Sequence, residues 1–221
     1  MVTRIYLPST GASEWRRLLA DPEKHWRHGY SAKAAADRWE AADGLPVEIE
    51  RQFVAAQLGP CELLLALPEF KTPLPGGGRA SQTDVFTLVS TNRGVFACGI
   101  EAKVAESFGP TVEDWLKDTS PGKIERLAFL CRLLGLPDSP PLTLRYQLLH
   151  RTAAALIEAK RFGCAGAAML VHSFSKDRMW FADFKAFATA LGATVALDAP
   201  ALIAAPNGLP LLLGWACGPI T

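Results

Sequence analysis

The sequence predicts an α/β (α+β) protein: a mixed central sheet with an antiparallel three-strand meander, flanked by helices. Three observations lead there. Apolar or alternating segments at 61–67, 84–90 and 95–104 follow one another, the last two across a short turn, as in a meander. Helix-periodic segments precede and follow them. The unbroken apolar run Ala165–His172 suits a strand buried on both faces, which needs helices on either side of its sheet. With 221 residues, 49% of them hydrophobic, the chain is long enough for one domain (1–221) with a substantial core.

Residues 13–42 read as helical with a break near Gly29, Ser31 serving as N-cap for Ala32–Ala42 and Gly44 as a stop. Residues 1–30 read as a helical appendage. Pro46 opens a helix over Val47–Gln57, with Ile49, Phe53 and Val54 on one face. Cys61–Leu67 is a strand, and Pro68 to Ser81 a long flexible loop. Asp84–Ser90 and Val95–Val104 are strands joined at Thr91-Asn92-Arg93-Gly94. Thr111–Leu116 is a short turn. Ser120-Pro121 caps a helix that Gly135 ends, and Leu142–Phe162 is a long helix. Ser175 caps the next helix, which Gly192 ends. Thr194–Leu197 and Leu209–Ala216 read as two last strands.

Charge narrows the function classes. Lys and Arg total 23 against 22 Asp and Glu, for a net charge of +1, and the mean hydropathy is +0.13. That excludes a disordered polyelectrolyte and a strongly basic nucleic-acid coat; any nucleic-acid contact needs a local patch. The N-terminal basic run is interleaved with Glu14, Asp21, Glu23, Asp37 and Glu40 and reads as a solvated helix surface. The five cysteines form no C-x-x-C pair, which speaks against structural zinc and for small buried thiols in a reducing cell. With no signal-like start and no apolar run long enough to span a bilayer, a cytoplasmic protein without membrane partner is expected. A homodimer is compatible with the sequence but does not follow from it.

The chemistry-bearing constellation comes from hairpin arithmetic. If Thr91 faces Gly94, facing residue numbers sum to 185 and Asp84 lies opposite Glu101. Facing side chains share one side of the sheet, their Cβ atoms about 4.5–5.5 Å apart. Lys103, two residues past Glu101, joins the same face, as do Ala97 and Gly99, whose small size leaves room for a ligand. Phe96, Cys98, Ile100 and Val104 form the apolar face. Two carboxylates so placed repel each other, and a divalent cation with hard oxygen ligands removes the objection. Asp84 and Glu101 are thus candidate ligands for Mg²⁺ or Mn²⁺, and Lys103 the candidate to orient water or stabilise phosphorane charge. By this reasoning Glu101→Gln relieves repulsion and slightly stabilises the metal-free fold, and Lys103→Ala abolishes cleavage. The set suits phosphodiester hydrolysis better than acyl transfer, for which no nucleophile–base pair is evident.

At these residues the sequence resembles the PD-(D/E)XK nuclease superfamily, whose fold is restriction-endonuclease-like. Thr83-Asp84-Val85 and Glu101-Ala102-Lys103 occupy the places of its Asp and E-x-K, and the elements of 46–173 follow its core order. The segments 81–86 and 101–110, the helix with Tyr146-Gln147-Leu148-Leu149-His150-Arg151 and the strand Met169–Phe174 are similar to a short bacterial branch of it. The resemblance implies a metal-dependent nuclease with nucleic acid as partner, catalysis by Asp84, Glu101 and Lys103, and a Gln on the helix, here Gln147, lining the site. No Pro precedes Asp84, and the superfamily's first-helix acidic residue stays open among Glu40, Glu48 and Glu50. Some branches have lost activity, so a non-catalytic binding or regulatory module of the same fold is the alternative function.

Other residues carry less. Glu106 reads as a loop-surface glutamate, with a third ligand as the alternative. His172, ending an apolar strand, reads as a satisfied buried histidine. Gly76-Gly77-Gly78-Arg79 lacks the G-K-[ST] of a phosphate loop, which leaves a flexible loop beside the site with Arg79 as a candidate phosphate contact and Lys71 a weaker one.

Overall fold

The computed structural model describes residues 11–19 and 21–219. A 3-10 turn at Ala12–Leu18 leads into α1 (Pro22–His25), α2 (Ser31–Glu40) and α3 (Val47–Ala55). The meander follows as β1 (Glu62–Thr72), β2 (Ser81–Thr91) and β3 (Gly94–Lys103). Then come α4 (Val112–Leu116), α5 (Pro121–Leu134), α6 (Tyr146–Arg161), β4 (Gly166–Ser173), α7 (Phe181–Ala190), β5 (Ala201–Ala204) and β6 (Pro210–Cys217). The six strands form one mixed sheet in the order β1-β2-β3-β4-β6-β5. β1 to β3 are antiparallel, β3, β4 and β6 run parallel, and β5 returns antiparallel to β6.

Helices cover both faces. On one, α5, α6 and α7 bury Leu130, Leu148, Phe184 and Phe187 against Ala97, Met169, Val171 and Leu213. On the other, Trp15, Trp39, Ile49 and Phe53 meet Phe96, Cys98, Ile100 and Leu170. Trp15, from the stretch read as an appendage, is therefore part of this second core layer. β4 is interior, paired to β3 and β6, and every one of its residues is buried, as its continuous apolar run predicts.

Several boundaries move, each for a local reason. β1 continues through Pro68 to Thr72, so the loop spans only 73–80. As an edge strand bonded to β2 alone, β1 tolerates a proline opposite Val85. α6 starts at Tyr146 rather than Leu142, because residues 142–144 dock on α4: Val112 N–H donates to Leu144 O (2.8 Å) and Glu113 N–H to Leu142 O (3.0 Å). Ser175 closes a separate turn, its Oγ accepting from Met179 N at 3.2 Å, and Trp180, with φ of 70°, breaks the chain before α7. Thr194–Leu197 is not a strand. β5 forms later, where the turn at Pro206-Asn207-Gly208 lets 201–204 fold back on β6.

β3 also departs from expectation. Its Glu101 face was expected to be open to a ligand, yet Glu101 and Lys103 are only 1% and 4% exposed. The small residues admit helix α6 instead: a Cβ on Gly99 would lie 3.7 Å from both Ala155 Cβ and Arg151 O.

Candidate functional site

The hairpin register sums to 185 from Thr91↔Gly94 to Val85↔Ile100, and there the β2–β3 ladder ends. β2 continues against β1, while β3 continues against β4 to Lys103↔Ser173. Asp84 sits in this fork. Its Oδ2 accepts a hydrogen bond from Ala102 N–H at 2.8 Å, satisfying a backbone donor that the parted strand leaves behind.

Glu101 is the hub. Its Oε1 accepts from Lys103 Nζ and from Gln147 Nε2, each at 2.7 Å, and its Oε2 accepts from Arg151 Nε at 2.6 Å. Gln147 and Arg151 stand one turn apart on α6, the i,i+4 spacing that aims two side chains at one point. Lys103 Nζ also lies 5.0 Å over the Phe108 ring. Asp84, Glu101, Lys103 and Gln147 are thus brought together, although under a helix and not on an open face. The cluster is buried, its polar groups paired with one another and its ammonium against Phe108 of the apolar core.

Two further groups escaped the sequence reading. Arg151, on the same side of the helix as Gln147 at i,i+4, carries no site role in the sequence, although that spacing from a site glutamine is a usable signal. Glu69 falls in the segment the sequence assigns to a loop, which the structure makes part of β1. It occupies β1 between the pairs Pro68↔Val85 and Phe70↔Thr83, beside Asp84, and Gln82 Nε2 donates to its Oε2 at 2.6 Å. Its φ of 54°, unusual for a residue with a side chain, marks an irregularity in the strand.

The electrostatics follow from this crowding. Burial alone would raise the Glu101 carboxyl, but the charges of Arg151 and Lys103 outweigh it and hold Glu101 well below its usual value. Asp84 goes the other way: burial, then repulsion from Glu101, pushes it up to about 7. Burial, then the Asp84 charge, pushes Glu69 up to about 8. The cluster is short of positive charge at the Asp84–Glu69 end. Both folded values exceed the unfolded ones, so unfolding releases protons across this range and stability declines as pH rises. His150 and His172 are both shifted down and act oppositely, but below about pH 6.5, the ordinary histidine value. In EDTA, the melting temperature should therefore fall between about pH 6.5 and 8.5, and Asp84→Asn should flatten the fall. An unchanged wild-type melting temperature over that window would contradict the assignment.

The remaining candidates lie elsewhere. Glu48 is on the opposite sheet face, held bidentately by Arg38 (2.7 Å to each oxygen) and by His172 Nε2 at 2.8 Å. His172 is fully buried as expected, but only half satisfied: Nε2 bonds Glu48, while Nδ1 has no partner among the described residues. Glu40 accepts from Trp15 Nε1 at 2.6 Å, and Glu50 is exposed. None of the three joins Glu101. Glu106 Oε1 accepts from Ser31 N–H and its Oε2 from Val104 N–H, so it ties the end of β3 to the start of α2. The glycine loop is not free: Arg126 donates to Pro75 O (2.8 Å), Gly77 O (3.0 Å) and Leu74 O (3.3 Å). At Gly76 (φ 73°) a Cβ would meet Gly122 O at 2.1 Å, so glycine there serves close packing on α5. Arg79 is exposed at the end of this loop, and Lys71 is exposed on β1.

For a cation, Asp84, Glu69 and Glu101 are the available oxygen donors. Among the described residues, no three His, Cys, Asp or Glu side chains are grouped closely enough to form an ion shell by themselves. No described helix is long and apolar enough to cross a membrane.

No curated protein and no solved structure matches the chain. A family model described as "Domain of unknown function (DUF6946)" matches residues 8–220. That match covers nearly the whole sequence, with the sheet, both helical layers and the Glu101 cluster inside it, and the chain belongs to that family.

Proposed function

We propose that the protein is a metal-dependent nuclease hydrolysing phosphodiester bonds of DNA or RNA, the activity implied by its resemblance to the PD-(D/E)XK superfamily. The observation that carries the reading is the meeting of Asp84, Glu101, Lys103 and Gln147 at the fork of the sheet. The donors fit Mg²⁺ or Mn²⁺ in chemistry: all are hard oxygens, and at Asp84 and Glu69 the nearby cations do not offset burial and the neighbouring carboxylates. Asp84 and Glu101 would hold the ion. Two carboxylates suffice, since Mg²⁺ commonly completes its shell with waters and substrate phosphate oxygens. When bound, the ion supplies polarisation of the phosphoryl oxygen and a more acidic water.

The protein's own residues do the positioning. Glu101 and the Phe108 ring fix the Lys103 ammonium, which can orient the attacking water and stabilise charge building on phosphorus. Gln147 and Arg151 orient Glu101 from α6. Arg151 also favours a second reading, a non-catalytic binding or regulatory module. Its buried pair with Glu101 already neutralises the carboxylate a cation would use.

Plasmid and single-strand cleavage in Mg²⁺, Mn²⁺ or EDTA, with calorimetric metal titration, separates the readings. Cleavage with either metal and none in EDTA is expected. Absence of both cleavage and metal binding would select the module.

A further inference from the structure

A cavity of about 260 Å³ lies between the 73–80 loop, α4 and α6, lined among others by Arg79, Trp115, Arg126, Tyr146 and His150. That is several times the roughly 30 Å³ share of a liquid water molecule. Among the described residues, no carboxylate lines it. Arg126 gives its Nε and Nη2 hydrogens to loop carbonyls, and its charge adds to the field in the cavity. Arg79, exposed at the rim, has no hydrogen-bond or ion-pair partner among the described residues. Trp115 and Tyr146 stack 3.9 Å apart as a flat wall, with Lys123 Nζ 5.2 Å over the Trp115 ring.

The polar order of the wall is set by the site next door. Arg151, which can only donate, gives an Nη1 hydrogen bond to Ser81 Oγ at 3.2 Å. The buried Ser81 hydroxyl then has His150 Nδ1, 2.8 Å away, as its acceptor. Burial, then the Arg151 charge, lowers His150 to about 3, so the ring is neutral at pH 7. With Nδ1 accepting, the single ring proton sits on Nε2, a donor with no partner among the described residues.

We infer that this cavity is a phosphate subsite, taking the phosphate next to the scissile one along a nucleic-acid strand. The identity of the strand rests on the nuclease reading; the anion preference rests on the cavity itself. The chain Glu101–Arg151–Ser81–His150 links the subsite to the cleavage cluster through two residues, Arg151 and Ser81. Arg79 closes on the phosphate from the solvent side, His150 Nε2–H donates from within, and the aromatic wall bounds the attached sugar and base.

The test is calorimetric titration of the full chain, in EDTA at low salt, with inorganic phosphate, a nucleoside monophosphate and the corresponding nucleoside. The monophosphate should bind, phosphate should compete with it, and the nucleoside should bind far more weakly. Arg79→Ala should weaken the monophosphate about tenfold or more, as for loss of a charged hydrogen bond, and Arg79→Glu further. Both changes are at an exposed residue and leave the fold intact, which the melting temperature checks. Nucleoside binding as tight as monophosphate binding, or affinity indifferent to Arg79, overturns the subsite. Phosphate binding without monophosphate binding overturns its assignment to nucleic acid. Because no cleavage is needed, a protein that binds monophosphate but never cuts keeps the subsite and loses the nuclease reading. One that cuts while indifferent to Arg79 does the reverse.

Discussion

Lys103→Ala is expected to lower the phosphodiester cleavage rate by about 10²–10³-fold, the range for removing one positioned electrostatic stabiliser from a reacting centre. The ammonium is buried, hydrogen-bonded to Glu101 and seated over Phe108, so its charge acts with little screening by water. It is not a metal ligand, so calorimetric affinity for Mg²⁺ or Mn²⁺ should stay within a few-fold of wild type. Truncation also removes packing, so Lys103→Met, which keeps the stem and loses the charge, is the companion variant. Both variants should lose the rate alike. Full activity in Lys103→Met would remove Lys103 from the mechanism, and cleavage lost only together with metal binding would make its role structural.

Glu101→Gln is the second large effect, and its sign reverses the sequence-based expectation. Judged from the hairpin alone, removing a charge opposite Asp84 relieves repulsion. In the folded protein Glu101 instead answers two buried cations, Lys103 and Arg151. Neutralising one partner of a buried ion pair costs about 3–5 kcal/mol. The lower end is expected here, because Asp84 and Glu69 are close enough to take up part of the countercharge. For a chain of this size, about 3 kcal/mol corresponds to roughly 6–12 °C of melting temperature. Adding Arg151→Met should recover part of the loss, since the two residues couple directly. A melting temperature at or above wild type in EDTA would restore the simple repulsion picture.

These expectations show which level of structure holds which information. Strand register was legible because it is a local matter. A two-residue turn at Asn92-Arg93 fixes the register of the hairpin as far as Val85↔Ile100, so Asp84 and Glu101 could be placed together at its end by counting. Lys103 followed from the strand period of two, and interior β4 from an apolar run with no wet face. The cap and stop of α5, Ser120 and Gly135, were legible for the same reason.

What the sequence alone determined about this protein is therefore the set of elements formed by neighbours in the chain, and the side chains that each element carries on a given face. Tertiary structure decided what lies against those faces. Whether Gly99 made space for a ligand or for α6 depended on a helix some fifty residues later in the chain, which brings Gln147 and Arg151 onto Glu101. Glu69 reached Asp84 only because Pro68 is tolerated at a sheet edge, and edge position is a property of the whole sheet. Glu48 was sent to the opposite face by its partners Arg38 and His172 on other elements. Charges interact through space with every element packed against them, so a carboxylate's pairing, and with it the sign of Glu101→Gln, is settled by packing rather than by sequence spacing.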